Sequence, residues 1–574
     1  MPYIPNKCID VIQLNISATG FYPKNKKREN KKKEDCVMAK NIKKSLCLLL
    51  TVTMIATLFI GCGKKEGGTS APKQQLVAMD DTKSVELTYF YWEDEHIVNS
   101  LEKGWAEAHP NAKLTTHMTT TGTNNQDILN LATSNSVPDV FWIVGTPENF
   151  IKQGLLYDMS DMWGADSDAE NVIGGVNDFK LGMFGTEGKW TTPVKFFPTV
   201  MFLNLTTFQT LNHDMPSYDW TWEDFEDVVA DMSGTYNGKK YFGVSEACTV
   251  ITFYPIANDP DCIGEFGWDG TSFDLTDWAD GLDLEKEFID RKYKAPVPGG
   301  TTYGSDDEYL TELYGESLHT QDKGYAAIRS DQWWCWERYW NDYSFYSNNT
   351  YFVPYTMPHT EANKDSKNLF ATMDFGAISS MTPNPLESYY LLKYMTWGAD
   401  GWNWKLDHRE EIKKTAIEAN GGNPDGFWTG EADATDGGEV INNCPITKDK
   451  EVWDKYKKFH PNSETGDDIA DKLKEVNVDP NARIEAFEAF WENVLESKWT
   501  CYGSQQIPGF DSWLNGPYFK GTDYVAGQEG VENAVIHGNA GSASQFVQTL
   551  TDSANESARE YKQILDDMIQ KQGN

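Results

Sequence analysis

The sequence has few basic residues relative to its acidic ones, and this deficit excludes two classes of partner. Fifty Lys and Arg stand against 87 Asp and Glu, so the formal net charge is −37. A nucleic-acid interface needs a Lys/Arg face against the phosphates, and docking on anionic lipid needs a basic patch. Global disorder is excluded as well, because 40% hydrophobic and 13% aromatic residues are enough for a large packed core.

Cysteine and histidine are also scarce, with nine of each in 574 residues. Five cysteines follow Cys62 without CxxC or metal-type spacing, so neither a disulfide framework nor a zinc site is expected. Cys248 and Cys262 are the one close pair, and a disulfide between these two stays an open alternative. The motifs GxxxxGK[ST], HExxH and GxSxG are absent. The acidic run at 433–439 lacks the EF-hand ligand spacing. We therefore expect no catalytic residue, no metal and no cofactor.

The basic residues that do occur are concentrated at the N-terminus. Residues 1–61 carry 11 Lys and Arg against 4 acidic residues, and three lysines, at 40, 43 and 44, precede the uncharged run 45–61. This order is typical of a secretory signal, and the run is shorter than the roughly 20 residues of a spanning helix. Because Met38 begins a conventional signal, we interpret 38–61 as the signal peptide and 1–37 as a non-native extension.

The end of this signal carries a further pattern. The sequence Leu-Phe-Ile-Gly-Cys at 58–62 resembles the lipobox of bacterial lipoproteins. By that resemblance Cys62 is acylated and becomes the mature N-terminus, and the Gly/Ser/Lys-rich residues 62–83 form a flexible tether. The body is then expected at the outer face of the bacterial cytoplasmic membrane, facing the extracellular space. A plain signal peptide with an incidental cysteine is the alternative.

Strand and helix patterns alternate through the rest of the chain. Runs of β-branched and aromatic residues typical of strands lie at 85–92, 113–118, 138–144 and 199–205. Helical periodicity is found at 97–108, 126–133, 222–232 and 542–571. Thr221, followed by Asp224, is typical of a helix N-cap. The alternation predicts an α/β fold with a largely parallel sheet, and the Gly, Asn and Asp in 400–480 predict surface elaboration there.

Several local signatures occur in one order along the chain. They are Val-Pro-Asp-Val-Phe-Trp at 137–142 with 150–158, Gly-Lys-Trp-Thr-Thr-Pro at 188–193 with 200–204, Tyr-Asp-Trp-Thr-Trp-Glu-Asp-Phe at 218–225, Gly-Tyr-Ala-Ala-Ile at 324–328 with the Trp pair at 333–334, and 353–358 with 375–378. Taken together and in this order, they resemble the family 1 extracellular solute-binding proteins, the group that includes maltose-binding protein. They span about residues 85–400, over half of the chain.

The resemblance implies a two-lobe, periplasmic-binding-protein-like fold of type II, with a ligand cleft between lobes joined by hinge crossovers. It assigns 84–194 and the return at 358–400 to lobe 1, and 195–357 to lobe 2. It leaves 401–574 as C-terminal elaboration and helices, mainly of lobe 2. The crossovers are expected at 193–198 and 353–357.

A neutral sugar presents apolar C–H faces and a rim of hydroxyls, so its site needs aromatic plates and short polar side chains. The chain supplies 21 Trp, 27 Tyr and 28 Phe. By their positions in the family's pattern, the resemblance implies ligand contacts from Trp334 and Trp142, with Trp333 as the neighbouring alternative. For each of these rings, simple packing in the core is the competing interpretation.

Further candidates follow strands or begin helices. Trp92, Glu93 and Asp94 end the first predicted strand, and the carboxyl ends of strands are where open α/β sheets bind ligands. Asn125 lies at the start of the second predicted helix, and Arg329 follows the Gly-Tyr-Ala-Ala-Ile signature. The competing interpretations are ordinary surface carboxylates, a polar helix start and an ion pair between Arg329 and Asp331.

These features predict a lipid-anchored receptor of a bacterial ABC importer. It would capture a carbohydrate, an oligosaccharide in preference to a monosaccharide, and deliver it to permease subunits that a cytoplasmic ATPase drives. We expect a monomer that touches the membrane only through its anchor.

Two alternatives stay open. One is a surface glycoside hydrolase, which needs two carboxylates about 5–10 Å apart across the cleft. The other is a receptor for a non-sugar solute such as a polyamine or a peptide.

Overall fold

The computed structural model describes most of the chain beyond its N-terminal segment. The described residues are 75–145, 147–175, 188–246, 248, 250–335, 349–361, 363–364, 368–419, 441–459, 473–475, 478–501, 507, 509–516, 530–538 and 540–572. The chain divides into two compact units, Met1–Pro72 and Lys73–Asn574, and every described residue belongs to the second. The predicted leader, Cys62, the start of the tether and the acidic run at 433–439 lie outside the described residues.

The first three predicted strands are confirmed within one or two residues, and the fourth is the second part of a longer strand. The burial of β1 alternates along its length, as expected for a strand with two unlike faces. The strands in the described part of the chain are β1 Val85–Tyr91, β2 Ala112–Met118, β3 Val140–Ile143, β4 Thr192–Asn204, β5 Gly234–Tyr236, β6 Lys239–Val244, β7 Ala326–Gln332, β8 Phe352–Tyr355, β9 Asn368–Ile378 and β10 Lys498–Cys501.

The predicted helices are also found, and Thr221 caps its helix as expected. Its hydroxyl accepts from the Asp224 N–H at 3.1 Å, and the Asp224 carboxylate accepts from the Thr221 N–H at 2.8 Å. The helices are α1 Glu95–Ala108, α2 Asn124–Ala132, α3 Glu148–Lys152, α4 Ser160–Ala165, α5 Leu205–Leu211, α6 Trp222–Asp231, α7 Val250–Asn258, α8 Thr276–Asp290, α9 Asp306–Tyr314, α10 Trp333–Cys335, α11 Pro385–Met395, α12 Ala399–Asp407, α13 Arg409–Ala419, α14 Lys450–Phe459, α15 Pro480–Glu496, α16 Phe510–Leu514, α17 Gly530–Ile536 and α18 Val547–Gln572.

Strand β4 joins two halves of a mixed sheet. Its residues 192–198 pair with β9, whose other edge pairs with β3 and β10, and β3 continues through β1 to β2. Its residues 199–204 pair with β7 and β8, and β7 continues through β6 to β5. We call these the first and the second half-sheet. The predicted crossover at 193–198 is therefore extended strand within β4.

The main hydrophobic core surrounds this sheet and includes helices from a region that we predicted to be surface elaboration. Trp402 and Leu406 on α12, with Trp453 and Tyr456 on α14, are buried in it. That expectation was wrong for these helices, because the many Gly, Asn and Asp residues elsewhere in 400–480 hide the apolar faces of the helices when composition alone is considered. A second cluster lies around α8 and α16–α18.

Cys248 and Cys262 are buried thiols that no disulfide joins. Burial raises the pKa of Cys248 to about 11 and that of Cys262 to about 12. Within the described ranges, no helix has the length and apolar character needed to cross a bilayer.

Candidate functional site

The strand directions bring two sets of strand ends toward each other. Strands β1 and β3 run parallel, and both point along β4 toward the second half-sheet. Strands β6 and β7 run parallel in the opposite sense, antiparallel to β4. We call the carboxyl ends of β1 and β3 the first edge, and those of β6 and β7 the second edge. Open α/β sheets bind ligands at such ends.

The register of β4 sets the gap between the two edges. The last residue of β3 pairs with Phe375, which in turn pairs with Pro193 of β4. The last residue of β7, Gln332, pairs with Thr199. Six residues of β4 therefore separate the edges, or about 20 Å at the rise of an extended strand. This distance along the strand sets how far apart the groups at the two edges lie.

At the first edge, the predicted residues Trp92 and Glu93 form a cluster with residues of β4 and β9. Lys195 Nζ lies 2.7 Å from Glu93 Oε1, and both side chains are about nine-tenths buried. Trp92 Nε1 donates to Asp374 Oδ2 at 3.3 Å. Trp92 itself is half-buried, so part of its ring is available for stacking.

Burial and lysine charges set the protonation of this cluster. Burial raises the pKa of Glu93, but the charges of Lys195 and Lys405 outweigh it, so the net shift is downward. Burial raises the pKa of Asp374 to about 6 against the attraction of Lys195. Burial also lowers the pKa of Lys405 to about 7. The first edge thus combines an ionised carboxylate, a carboxyl that titrates near pH 6 and an ammonium group that titrates near neutrality.

At the second edge, the central carboxylate is Glu246, two residues beyond the end of β6. Its side chain is 2% exposed. Oε1 lies 2.9 Å from His319 Nδ1, and Oε2 accepts from the Thr320 hydroxyl at 3.0 Å. Burial lowers the pKa of His319, yet the hydrogen bond and charge of Glu246 outweigh it and the net shift is upward. Burial raises the pKa of the adjacent Asp322 to about 6.

The end of β7 adds an aromatic ring to the second edge. Trp334 is half-buried, and its Nε1 donates to Gln332 Oε1 at 2.9 Å. Arg329 is 4% exposed and forms an ion pair with Asp331, which is the competing interpretation given above. Trp334 at the second edge and Trp92 at the first edge are therefore the two predicted rings with accessible surface.

The other two predicted tryptophans are fully buried. Trp142 is 1% exposed, its Nε1 donates to Tyr89 Oη at 2.6 Å, and it meets Trp92 edge-to-face with ring centroids 5.0 Å apart. Trp333 is 0% exposed, and its Nε1 donates to Tyr456 Oη at 2.9 Å. In this structure Trp142 supports the ring of Trp92, whereas Trp333 lies in the core. Ligand contact by either ring stays a prediction.

The remaining predicted polar residues bond to the local backbone. Asn125 donates to the Val144 carbonyl at 2.8 Å and accepts from the Val144 N–H at 3.0 Å, so it fixes the segment that follows β3. Asp94 caps α1 by accepting from the His96 N–H at 2.8 Å. Burial raises the pKa of Asp94. Both side chains lie at the first edge, and each already has a structural role there.

Sequence reasoning missed four residues of the two edges. Lys195 lies inside the predicted crossover, and Asp374 directly precedes the signature at 375–378, so a search for charges within those segments would have found both. Glu246 follows a strand that was not predicted, and His319 lies 73 residues further along the chain. No local pattern connects these two. In the described part of the chain, no group of three or more His, Cys, Asp or Glu is arranged to hold a metal ion.

Comparison with solved structures identifies the fold. A sugar transporter from Rhizobium etli in an open conformation aligns at TM-score 0.55 and 14% identity, over 82% of this chain and 99% of that one. The sugar-binding protein MalE from Xanthomonas citri aligns at TM-score 0.52 and 11% identity, over 84% and 99%. UspC from M. tuberculosis aligns at TM-score 0.50 and 12% identity, over 82% and 100%. No protein-family model and no curated protein matches the chain. The chain shares the two-lobe α/β fold of these structures.

Proposed function

We propose that the protein is a solute-binding receptor that captures a carbohydrate between the first and second edges and delivers it to an ABC importer. The observation that carries the proposal is the pair of opposed strand ends along β4, each with a half-buried tryptophan beside buried, ion-paired carboxylates. Trp92 and Trp334 supply the plates for C–H faces, and Asp374, Gln332 and the two ion pairs supply polar partners for hydroxyls. No bond of the solute is broken in this function.

The common fold supports this proposal, because the structures of a sugar transporter and of a sugar-binding protein align with more than four-fifths of this chain. Fold alone does not determine a ligand, so the carbohydrate is argued from the two edges. On this proposal, the half-sheets are the cores of the two lobes, and the crossovers are β4 and the segment 355–368. Closure would bring Trp92 and Trp334 onto opposite faces of one solute.

We further propose that Cys62 carries the lipid anchor and that permease subunits with a cytoplasmic ATPase receive the solute. The sequence pattern at 58–62 is the basis for the anchor. Several acyl chains hold a protein firmly on a bilayer. Full-length protein expressed in a bacterial host should fractionate with membranes, and Cys62→Ser should release it. Equal membrane retention of both forms would argue against an anchor at this residue.

A thermal-shift screen of the full-length protein against mono- and oligosaccharides, with polyamines and peptides as controls, tests the ligand class. A solute that binds only the folded state raises the melting temperature. At a concentration 100-fold above Kd, such a solute adds about 2.7 kcal/mol to the free energy of unfolding. We expect a shift with one glycan class and a loss of affinity of about tenfold or more in Trp334→Ala and in Trp92→Ala. A shift with polyamine or peptide alone would keep the fold and overturn the carbohydrate.

A glycoside hydrolase is the second candidate, and one observation favours it. The first edge holds two carboxyl groups whose pKa values are shifted in opposite directions, Glu93 downward and Asp374 upward to about 6. Such a split is what acid–base catalysis needs. The ion pair of Glu93 with Lys195 weighs against it, because that carboxylate is buried and already neutralised. Recovery of the glycan intact after incubation supports the receptor, and its cleavage supports the hydrolase.

A further inference from the structure

The ring of Trp92 at the first edge is supported on one side by a second tryptophan. Trp142 meets it edge-to-face, with ring centroids 5.0 Å apart and an interplanar angle of 84°. Trp142 is 1% exposed and donates its own N–H to Tyr89 Oη at 2.6 Å, so this support is itself fixed. An edge-to-face contact favours one tilt of the ring. It does not decide between the two orientations that a half-turn about the bond from Cβ to the ring exchanges.

The indole N–H of Trp92 distinguishes these two orientations. Its Nε1 donates to Asp374 Oδ2 at 3.3 Å. A half-turn would carry the N–H away from Asp374 and bring an apolar edge of the indole against the carboxylate. Because an ionised acceptor strengthens a hydrogen bond, the carboxylate favours the observed orientation. The N–H is then occupied, so Trp92 offers a solute the face of its ring and not a donor.

The register of the sheet places Asp374 beside Trp92. Asp374 lies directly opposite Lys195 in the antiparallel pair of β9 and β4, so the two side chains lie on the same face of the sheet. Lys195 Nζ lies 2.7 Å from Glu93 Oε1, and Glu93 follows Trp92 in the chain. Two consecutive residues after β1 are therefore each bonded to one member of the same cross-strand pair. This arrangement sets the orientation of Trp92 through strands rather than through a loop.

The hydrogen bond to Trp92 can be altered by pH as well as by mutation. Burial raises the pKa of Asp374 to about 6, against the attraction of Lys195 from β4 and the hydrogen bond from Trp92. The charge of Glu93, after β1, also raises it. Lys405 on α12 acts on the Glu93 and Lys195 of this cluster. Protonation of Asp374 replaces the ionised acceptor of the indole N–H by a neutral one, which binds it less strongly.

We propose that Asp374 is the positioning residue for Trp92, and that its carboxylate holds the indole in the orientation that presents one ring face to the solute. The role of that face as a plate for a sugar rests on the function proposed above. The positioning itself needs no solute, because the hydrogen bond, the contact with Trp142 and the cross-strand pair are all present without one.

Fluorine NMR of the full-length protein labelled with 5-fluorotryptophan tests the positioning without any solute. The resonance of Trp92 is assigned by its absence in Trp92→Phe. We expect it to shift with pH in the wild type, with a midpoint near 6. Asp374→Asn should abolish this titration and keep a single resonance, since the amide oxygen still accepts the N–H. Asp374→Leu, of similar size but without an acceptor, should move or split the resonance at every pH.

The resonance of Trp334, assigned in the same way through Trp334→Phe, is the internal control and should be the same in the wild type and both Asp374 variants. An unchanged titration in Asp374→Asn, or a Trp92 resonance that is the same in Asp374→Leu as in the wild type, would overturn the positioning role. If Asp374→Leu fails to fold, the comparison of the wild type with Asp374→Asn still decides.

A double-mutant cycle then measures what the positioning contributes to affinity, with the glycan that gives the largest shift in the thermal screen as the probe. Asp374→Leu should weaken its binding about tenfold, whereas Asp374→Asn should retain most of the affinity. In the Trp92→Ala background Asp374→Leu should have little further effect, because no ring is left to position. An equal loss in both backgrounds would overturn the proposal. If no glycan binds, the proposed function fails, and the fluorine titration still decides the role of Asp374.

Discussion

Each edge of the candidate site buries a glutamate, and the two edges compensate its charge with different bases. Each holds a buried glutamate, Glu93 at the first edge and Glu246 at the second. Glu93 is compensated by the ammonium group of Lys195, with Lys405 as a second charge nearby. Glu246 is compensated by His319 and by the hydroxyl of Thr320. Lys195 is buried together with its carboxylate, whereas His319 is one-third exposed, and a histidine titrates near physiological pH.

The two edges should respond differently to pH and to mutation. At the first edge the paired charges are both buried, so removing one leaves the other without compensation in a medium of low dielectric. At the second edge His319 is 33% exposed, so solvent weakens the interaction of its ring with Glu246. The first edge should therefore tolerate the loss of a charged partner less well than the second edge does.

Lys195→Met gives the largest expected effect. It leaves Glu93 buried beside only Lys405, and breaking a buried pair from one side costs about 3–5 kcal/mol of unfolding free energy. Urea unfolding followed by tryptophan fluorescence measures the loss. The double variant Lys195→Met/Glu93→Gln should recover most of it, because no unpaired charge remains.

An exposed ion pair supplies the matched control for this variant. Lys103 pairs with Glu411 at 3.1 Å, with side chains 65% and 58% exposed. Lys103→Met should lower the unfolding free energy far less than Lys195→Met does, as for other solvent-exposed pairs. If Lys195→Met costs no more than Lys103→Met, burial of the Lys195–Glu93 pair does not have the energetic effect that its geometry indicates.

Lys405→Met gives the second largest effect and tests the sign of the pH response at the first edge. Its ammonium nitrogen lies 3.4 Å from the centroid of the Trp402 ring, and burial lowers its pKa to about 7. A base with a lowered folded pKa binds fewer protons when folded, so stability rises as pH goes from about 7 toward 10. The slope approaches about 1.4 kcal/mol per pH unit.

Replacement by methionine should remove this slope and raise stability at pH 7, because the buried ammonium group is gone. Lys405→Arg is the informative companion, since guanidinium stays charged and should leave the protein less stable than wild type at pH 9. Unfolding free energies at pH 7, 8 and 9 check both variants. If the pH slope of the unfolding free energy persists in Lys405→Met, another titrating group causes it.

Some features of the two edges can be predicted from the sequence, and others cannot. Strands β1, β2 and β3 and the cap at Thr221 follow from local pattern, because alternation and hydrogen bonding act over a few residues. The partners Lys195 and His319 lie on segments far along the chain from Glu93 and Glu246, so no local pattern pairs them. Trp142 and Trp92 show the same limit, because both lie near the carboxyl ends of neighbouring strands and only packing decides which one is buried.

His319→Gln gives the smallest expected effect and tests the second edge. The folded pKa of His319 is raised above its usual 6.5, so its contribution is complete below about pH 6.5 and is lost as pH rises through the folded value. Partial exposure limits the loss to about 1 kcal/mol or less. Glutamine can still donate to Glu246, so packing and one hydrogen bond are kept while the titration disappears.

Two other titrations must be separated from that of His319. Asp322, with its pKa raised to about 6, lowers stability as pH rises from about 4 to 6, mostly below the window of interest. Lys405 acts in the opposite direction above pH 7, so the comparison is made in the Lys405→Met background. We expect stability to fall between pH 6.5 and 8 with His319 present and to stay level with glutamine, and 1 M salt should shrink the difference. Equal pH dependence of the two proteins would mean that His319 does not cause the fall in stability.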